Sequence, residues 1–290
     1  MNTLPAPDHS FVLSLTCPDS RGIVHAVSGW MVNRQCNILE SAQFGDPTTG
    51  LFAMRIHFAS EGISHDAAIL EKEFSPLANR FQMNWSLCDS GYRPRVLILV
   101  SAQDHCLHDL LYRYGIGELK IEIPAVISNH RAARELATSH DIPFLHWPVS
   151  AGDRQRWDSD LLQLVEDEAV DFLVLARYMQ ILSKNVCEYL PARIINIHHS
   201  FLPGFKGASP YAQAFERGVK LIGATAHYVT PDLDEGPIIE QDVLRVDHAT
   251  PPEALAEIGR DVEKVVLARA VRYQAEQRIV LNGTKTVVFR

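Results

Sequence analysis

Cysteine is scarce in this chain of 290 residues: Cys17, Cys36, Cys88, Cys106 and Cys187 form an odd, scattered set without a C-x-x-C pair. That spacing excludes a disulfide frame and a zinc knuckle, and it reads as reduced thiols packed as small apolar side chains. A basic surplus is also lacking. Lys and Arg number 27 against 35 Asp and Glu, a net charge of −8, which argues against general nucleic-acid binding. No apolar run approaches the ~20 residues a membrane helix needs. Residues 1–10 have neither a basic n-region nor an apolar h-region, so the expectation is a cytoplasmic protein without membrane association. Internal repeats and low-complexity stretches are missing as well. What remains is ordinary globular composition, 47% hydrophobic and 21% charged. At ~150 residues per domain, the length suits about two domains.

A turn-rich join at Asp89, Ser90, Gly91, Tyr92, Arg93 and Pro94 separates two textures, and the expected domains are 1–90 and 91–290. Before the join, residues 11–15 read as a strand. Ile23, Val27, Trp30 and Met31 recur at helical spacing, and strands at 38–44 and 51–58 flank a hairpin-type loop. A helix over 65–78 and a strand over 83–87 complete a βαββαβ order, which predicts a ferredoxin-like sheet with helices on one face. After the join, β-branched runs at 96–100, 121–127, 171–176 and 193–197 predict strands buried on both faces of a parallel sheet. Helices at 106–114, 131–138, 154–168 and 183–189 lie between them. Strands at 221–229 and 237–246 follow, and a long helix over 253–277 closes the domain. The fold class is therefore α/β: a ferredoxin-like unit, then a doubly wound, mostly parallel, Rossmann-like domain.

The densest polar cluster follows Arg193. Side chains alternate along a strand, so Asn196 and His198 share a face while Ile195 and Ile197 take the other. His198 stands where the apolar run stops, at the carboxyl end of the strand, where open α/β sheets bind ligands. An amide N–H can donate to a developing oxyanion and an imidazole can move a proton, a pairing suited to attack on a carbonyl. On spacing alone, the same N-x-H pair is equally a polar pair closing a strand. A second cluster, 226–237, delivers Asp232, Asp234 and Glu235 into an acidic turn. Any of the three could orient an imidazole, and a solvated turn is the simpler reading of such a loop. His227, between Ala226 and Tyr228 late in a strand, reads as structural.

Asn196 and His198 followed by Ser200, Leu202 and Pro203 resemble the N-x-H-x-S-x-L-P motif of the folate-dependent formyltransferase family, and Leu233-Asp234-x-Gly236-Pro237 resembles its second motif. The resemblance implies Asn196 as oxyanion donor, His198 as proton-transfer group and Asp234 as the carboxylate that orients His198 and a water. It also implies a folate pocket at Arg177, Tyr178, Met179, Gln180, Ile181 and Leu182 and along the backbone from Thr230 to Asp234. Members that formylate a nucleotide acceptor carry a glycine-rich phosphate loop after the first strand of this domain. Here that loop reads Val100-Ser101-Ala102-Gln103-Asp104-His105-Cys106, without glycine and with an acid that repels phosphate. Water then becomes the expected nucleophile, and the implied reaction is hydrolysis of 10-formyltetrahydrofolate to tetrahydrofolate and formate. No permanently bound cofactor or metal is expected. Ser209 stands where the family leads us to expect Arg or Asn.

The first unit, with its Pro18-Asp19-x-x-Gly22-Ile23-Val24 turn, resembles an ACT regulatory domain, which implies a homo-oligomer (dimer or tetramer) and an amino-acid effector. Asp19, Gly22 and Ile23 are the candidate effector residues, since a turn opening a helix offers free N–H groups to a carboxylate; a plain N-cap by Asp19 explains the same turn. Three other readings stay open at this level. His198, His199, His227 and Asp234 could hold zinc or iron, although adjacent histidines on one strand face opposite ways. The chain could instead pass formyl to an amine. It could also be an amino-acid sensor without catalysis.

Overall fold

Phe11, Leu13 and Leu15 reach one core only if their segment is extended, because a strand puts alternate side chains on one face. The computed structural model describes residues 9–60, 66–149, 154–204 and 210–290. They form two compact units, one holding the chain up to Tyr92 together with Glu276–Arg290, the other Arg93–Ala275. The first contains β1 (Ser10–Pro18), α1 (Ile23–Asn33), β2 (Cys36–Asp46), β3 (Leu51–Ser60), α2 (Ala67–Arg80) and β4 (Asn84–Asp89). Its sheet order is β2-β3-β1-β4, every neighbouring pair antiparallel. Val27, Trp30 and Met31 of α1 and Leu70 and Phe74 of α2 cover one face. Trp30 meets Phe74 edge-on at 5.1 Å, an arrangement that suits aromatic quadrupoles. Asp66 caps α2, its carboxylate accepting from the Ala68 N–H at 2.9 Å.

The second unit runs β5 (Val96–Val100), α3 (His105–Gly115), β6 (Val126–Ser128), α4 (Arg134–Thr138), β7 (Phe144–His146), α5 (Arg154–Asp167), β8 (Phe172–Leu175), α6 (Lys184–Tyr189), β9 (Ile194–His198), α7 (Pro210–Glu216), β10 (Leu221–Tyr228), β11 (Ile238–Arg245) and α8 (Pro252–Ala275). Seven strands order as β11-β10-β9-β8-β5-β6-β7. The five from β9 to β7 are parallel, and β10 and β11 are antiparallel additions at one side. Winding reverses between β5 and β8, the kind of crevice in which open α/β sheets hold ligands. β5 and β8 are buried along their whole length, as continuous Val/Ile/Leu runs demand.

Three differences from the sequence expectations have physical causes. The strand expected over 121–127 is reduced to β6, because Pro124 offers no N–H to a ladder. β7, only three residues long, carries too little period to read. The last residues, expected within 91–290, pack instead on the first unit as β12 (Ile279–Asn282) and β13 (Lys285–Val288), which pair antiparallel. That face of the first sheet presents Ser14 and Arg55, and the carbonyls of Glu276 and Gln277 accept from them. Arg55 is 4% exposed, and a buried guanidinium requires such partners. Among the described residues, no helix is long and apolar enough to cross a membrane.

Candidate active site

β9 is apolar at Ile194, Ile195 and Ile197, and its polar face turns Asn196 and His198 into a cavity of ≈ 240 Å³ at its carboxyl end. The same cavity is lined by Arg177, Tyr178, Met179, Gln180, Ile181 and Leu182, the segment leaving β8, and by Thr230 and Asp234 of the loop between β10 and β11. Tyr178 and Leu182 are buried at the wall, whereas Met179 and Ile181 are exposed, so apolar surface lines the cavity. Tyr178 stacks on Trp157 with centroids 6.1 Å apart, and its buried hydroxyl has no partner among the described residues. Burial pushes that phenol well above its ordinary range.

The Asp234 carboxylate lies 3.3 Å from Nδ1 of His198 and 3.7 Å from Nε2 of His227. The bond from His198 holds its pKa well below the usual carboxylate range, although burial acts the other way. With Nδ1 turned to Asp234, Nε2 of His198 is left buried and without a partner among the described residues. Asp234 itself has φ +57, a left-handed conformation that Asp tolerates better than most residues. The turn behind it admits only glycine at Gly236, where a Cβ would fall 1.8 Å from the Tyr228 carbonyl oxygen.

His227 and His199 also line the cavity; the sequence offered them only as possible metal ligands, and otherwise read His227 as structural. Register pairs His227 with Asn196 across β10 and β9. Nδ2 of Asn196 lies 3.2 Å from Nε2 of His227, and Nδ1 of His227 lies 2.8 Å from the Tyr228 carbonyl. An amide nitrogen can only donate and a carbonyl can only accept, so one tautomer satisfies both bonds: Nδ1–H donates to Tyr228 and Nε2 accepts from Asn196. His227 therefore fixes the Asn196 amide and leaves its second N–H available. His199 reaches the cavity because β9 ends at His198, so strand alternation no longer governs the next residue. Burial, aided by the Arg177 charge, lowers its pKa to about 4.

Asp19, Gly22 and Ile23 are not part of this cavity; they belong to the first unit. α1 is capped by Gly22 at φ +92 without a side-chain bond, so the plain Asp19 cap does not form. Asp19 is exposed and its N–H donates to the Gly50 carbonyl at 2.8 Å, while Ile23 is buried in the core. Ser209 lies outside the described residues.

Sequence reading passed over a second polar group beside the cavity. Glu263 of α8 is 1% exposed and accepts from the Tyr211 hydroxyl at 2.6 Å; its other oxygen lies 2.9 Å from His105 Nε2 and 3.2 Å from Arg177 Nε. Among the described residues, His105, Cys106 and Glu263 offer three metal-ligating atoms within 4.8 Å of one another. The guanidinium beside that carboxylate opposes a further cation, and burial pushes the Cys106 thiol far up, away from the thiolate a metal needs.

Known proteins are similar to this chain over nearly its whole length. Residues 94–271 match the formyl transferase family. A formyltetrahydrofolate deformylase of Bacillus subtilis is 50% identical, over 96% of this chain and 93% of its own. The crystal structure of a formyltetrahydrofolate deformylase from Burkholderia mallei superposes with TM-score 0.92 at 49% identity, covering 97% of this chain and all of that one. More distantly, a glycinamide ribonucleotide transformylase from Symbiobacterium toebii covers 70% of this chain and 97% of its own, with TM-score 0.66 and 31% identity.

Proposed function

The chain belongs to the formyltetrahydrofolate deformylases, hydrolases within the formyl transferase family, and from that membership we propose that it hydrolyses 10-formyltetrahydrofolate to tetrahydrofolate and formate. One contact carries the mechanism: His198 turns Nδ1 to Asp234 at 3.3 Å, and its Nε2 is buried at the cavity without a partner among the described residues. Asp234 holds the imidazole in the tautomer whose Nε2 can accept a proton. Water held by His198 and Asp234 attacks the formyl carbon. Asn196, oriented by His227 and helped by His198, donates to the oxyanion of the tetrahedral intermediate. The proton taken from water then passes to N10, the carbon–N10 bond breaks, and tetrahydrofolate and formate leave. A largely closed cavity serves this chemistry, because a formamide-like carbon is unreactive and fixed dipoles act more strongly where water is excluded.

In this reading, Arg177, Tyr178, Met179, Gln180, Ile181, Leu182 and Thr230 bind the folate, Arg177 through its main chain because its guanidinium is held by Gln103 and Glu263. The first unit is an ACT-type regulatory module. Its βαββαβ order supports that assignment, and Asp19, Gly22 and Ile23 are its candidate effector contacts. β2, a long edge strand exposing Ile38, Leu39 and Phe44, supports pairing with a second copy. The test of the reaction is direct. Purified protein incubated with 10-formyltetrahydrofolate and no amine should release formate and tetrahydrofolate in equal amounts; no formate under those conditions overturns the proposal.

A further inference from the structure

The sheet reverses its winding between β5 and β8, and the loops leaving those two strands frame the crevice in which folds of this kind place a ligand. In this chain the crevice is occupied by the chain's own side chains. Arg177, two residues past β8, keeps a long side chain at φ +63, a left-handed conformation unfavourable for any residue but glycine, Asn or Asp. Its guanidinium donates through Nε and Nη2 to the Gln103 amide oxygen, at 3.2 and 2.8 Å, and pairs with Glu263 at 3.2 Å. Glu263 in turn accepts from Tyr211 and lies within bonding distance of His105. Burial pushes the Glu263 carboxyl up, but the bond to His105, the Arg177 charge and the Tyr211 hydroxyl outweigh it and hold it ionised. The fit is tight: a Cβ at Gly259 of α8 would fall 1.9 Å from the Tyr211 hydroxyl oxygen. These contacts leave the Glu263 carboxylate with a partner on each oxygen and direct the Arg177 charge inward.

Resting on the proposed hydrolysis, we infer that the Arg177–Glu263 pair, with Gln103, His105 and Tyr211, is the determinant of nucleophile choice: it fills the acceptor half of the crevice and restricts attack to water. An amine co-substrate needs two things beside His198, space for its carbon skeleton and a group to hold it. Here the nearby cation is neutralised by Glu263, Arg177 lines the same cavity as His198, and the Tyr211 ring stands 6.1 Å from that of His199. Water needs neither. Emptying the cluster should admit a small amine. Its nitrogen lone pair would form a bond to the formyl carbon, the carbon–N10 bond would break with its electrons left on N10, and the proton lost by the amine would pass through His198 to N10.

The test is a partition ratio, which is independent of how much folded enzyme is present. Wild type and Arg177→Gly/Glu263→Gln are each given 10-formyltetrahydrofolate labelled with carbon-13 in the formyl group, plus glycinamide, and N-formylglycinamide and formate are quantified together. The double variant removes both charges at once and places glycine where φ is positive. Wild type should give a ratio no higher than the uncatalysed background. The double variant should raise it by about tenfold or more, the scale on which pocket fit discriminates between substrates. Tyr211→Phe, which keeps the ring and drops one bond to Glu263, should raise it by less. A merely structural role for the cluster would lower formate output and leave the ratio alone, and that result in the double variant overturns the inference. If the double variant does not fold, an unchanged ratio in Tyr211→Phe overturns it. A wild-type protein that makes no formate removes the hydrolysis reading itself, and this inference with it.

Discussion

Asn196 can stabilise an oxyanion only if its N–H is already aimed, because a donor that must reorient during the reaction loses much of its advantage over water. The bond to His227 supplies that aim. Asn196→Ala should therefore lower kcat by about 10²–10³, measured as formate release at saturating folate. A variant with the wild-type rate would leave the oxyanion without its assigned donor. His199 makes a separate, pH-dependent prediction. Its folded pKa is about 4, below the ~6.5 of an unfolded histidine, so the unfolded chain binds this proton first as pH falls. The stability it contributes is complete above ~6.5 and is lost as pH drops toward 4. Urea denaturation from pH 7 to pH 4 should show a shallower acid decline in His199→Gln than in wild type; parallel profiles would refute the assignment. Asn196 and His198 were legible as a pair from strand alternation, whereas His227 was not, since nothing beside it in the chain says which residue it will face.

Among the elements, β9 and the loop from β10 to β11 were legible and much of their surroundings was not. The run Ile194, Ile195, Ile197 marks a buried strand by itself. α7 is seven residues long and β7 three, too short for a period to emerge. The loop carrying Asp234 closes because Tyr228 N–H donates to the Pro237 carbonyl at 2.9 Å, with Gly236 packed against the Tyr228 carbonyl. A methyl group at Gly236 must displace backbone rather than a flexible side chain. Gly236→Ala should cost about 1–3 kcal/mol of stability, as overpacking does, and should also lower kcat by moving Asp234 away from His198. Thermal unfolding and formate release on the same sample check the two effects together. A variant with both values at wild-type level would mean the loop yields more easily than its packing implies.

At the scale of the whole chain, residues 276–290 complete the first unit by covering Arg55. A chain ended at Ala275 loses two carbonyl bonds to a charged donor, each worth roughly 1.5–3 kcal/mol, less whatever Arg55 regains from water. It also loses the 2.7 Å bond from Asn282 to Asp46. The denaturation transition of the first unit should move to lower urea by an amount on the order of 2 kcal/mol. If that unit is an effector module, formate release should change with at least one amino acid of a panel added to the full chain. Identical rates across the panel would remove the effector.

Local sequence was enough for the alternation of β and α elements, the shared face of Asn196 and His198, and the lack of a phosphate-cradling glycine loop after β5. Each of these is a property of neighbouring residues, set by the period of a strand or the chemistry of a turn. Tertiary structure alone decided that His227 aims Asn196, that the last 15 residues serve the first unit, and that Glu263, 158 positions from His105, closes a charged cluster at the reversal of the sheet. Strand order and helix docking bring such residues together. Those are settled by which buried surfaces fit and which buried charges find partners, quantities that no local stretch of sequence contains.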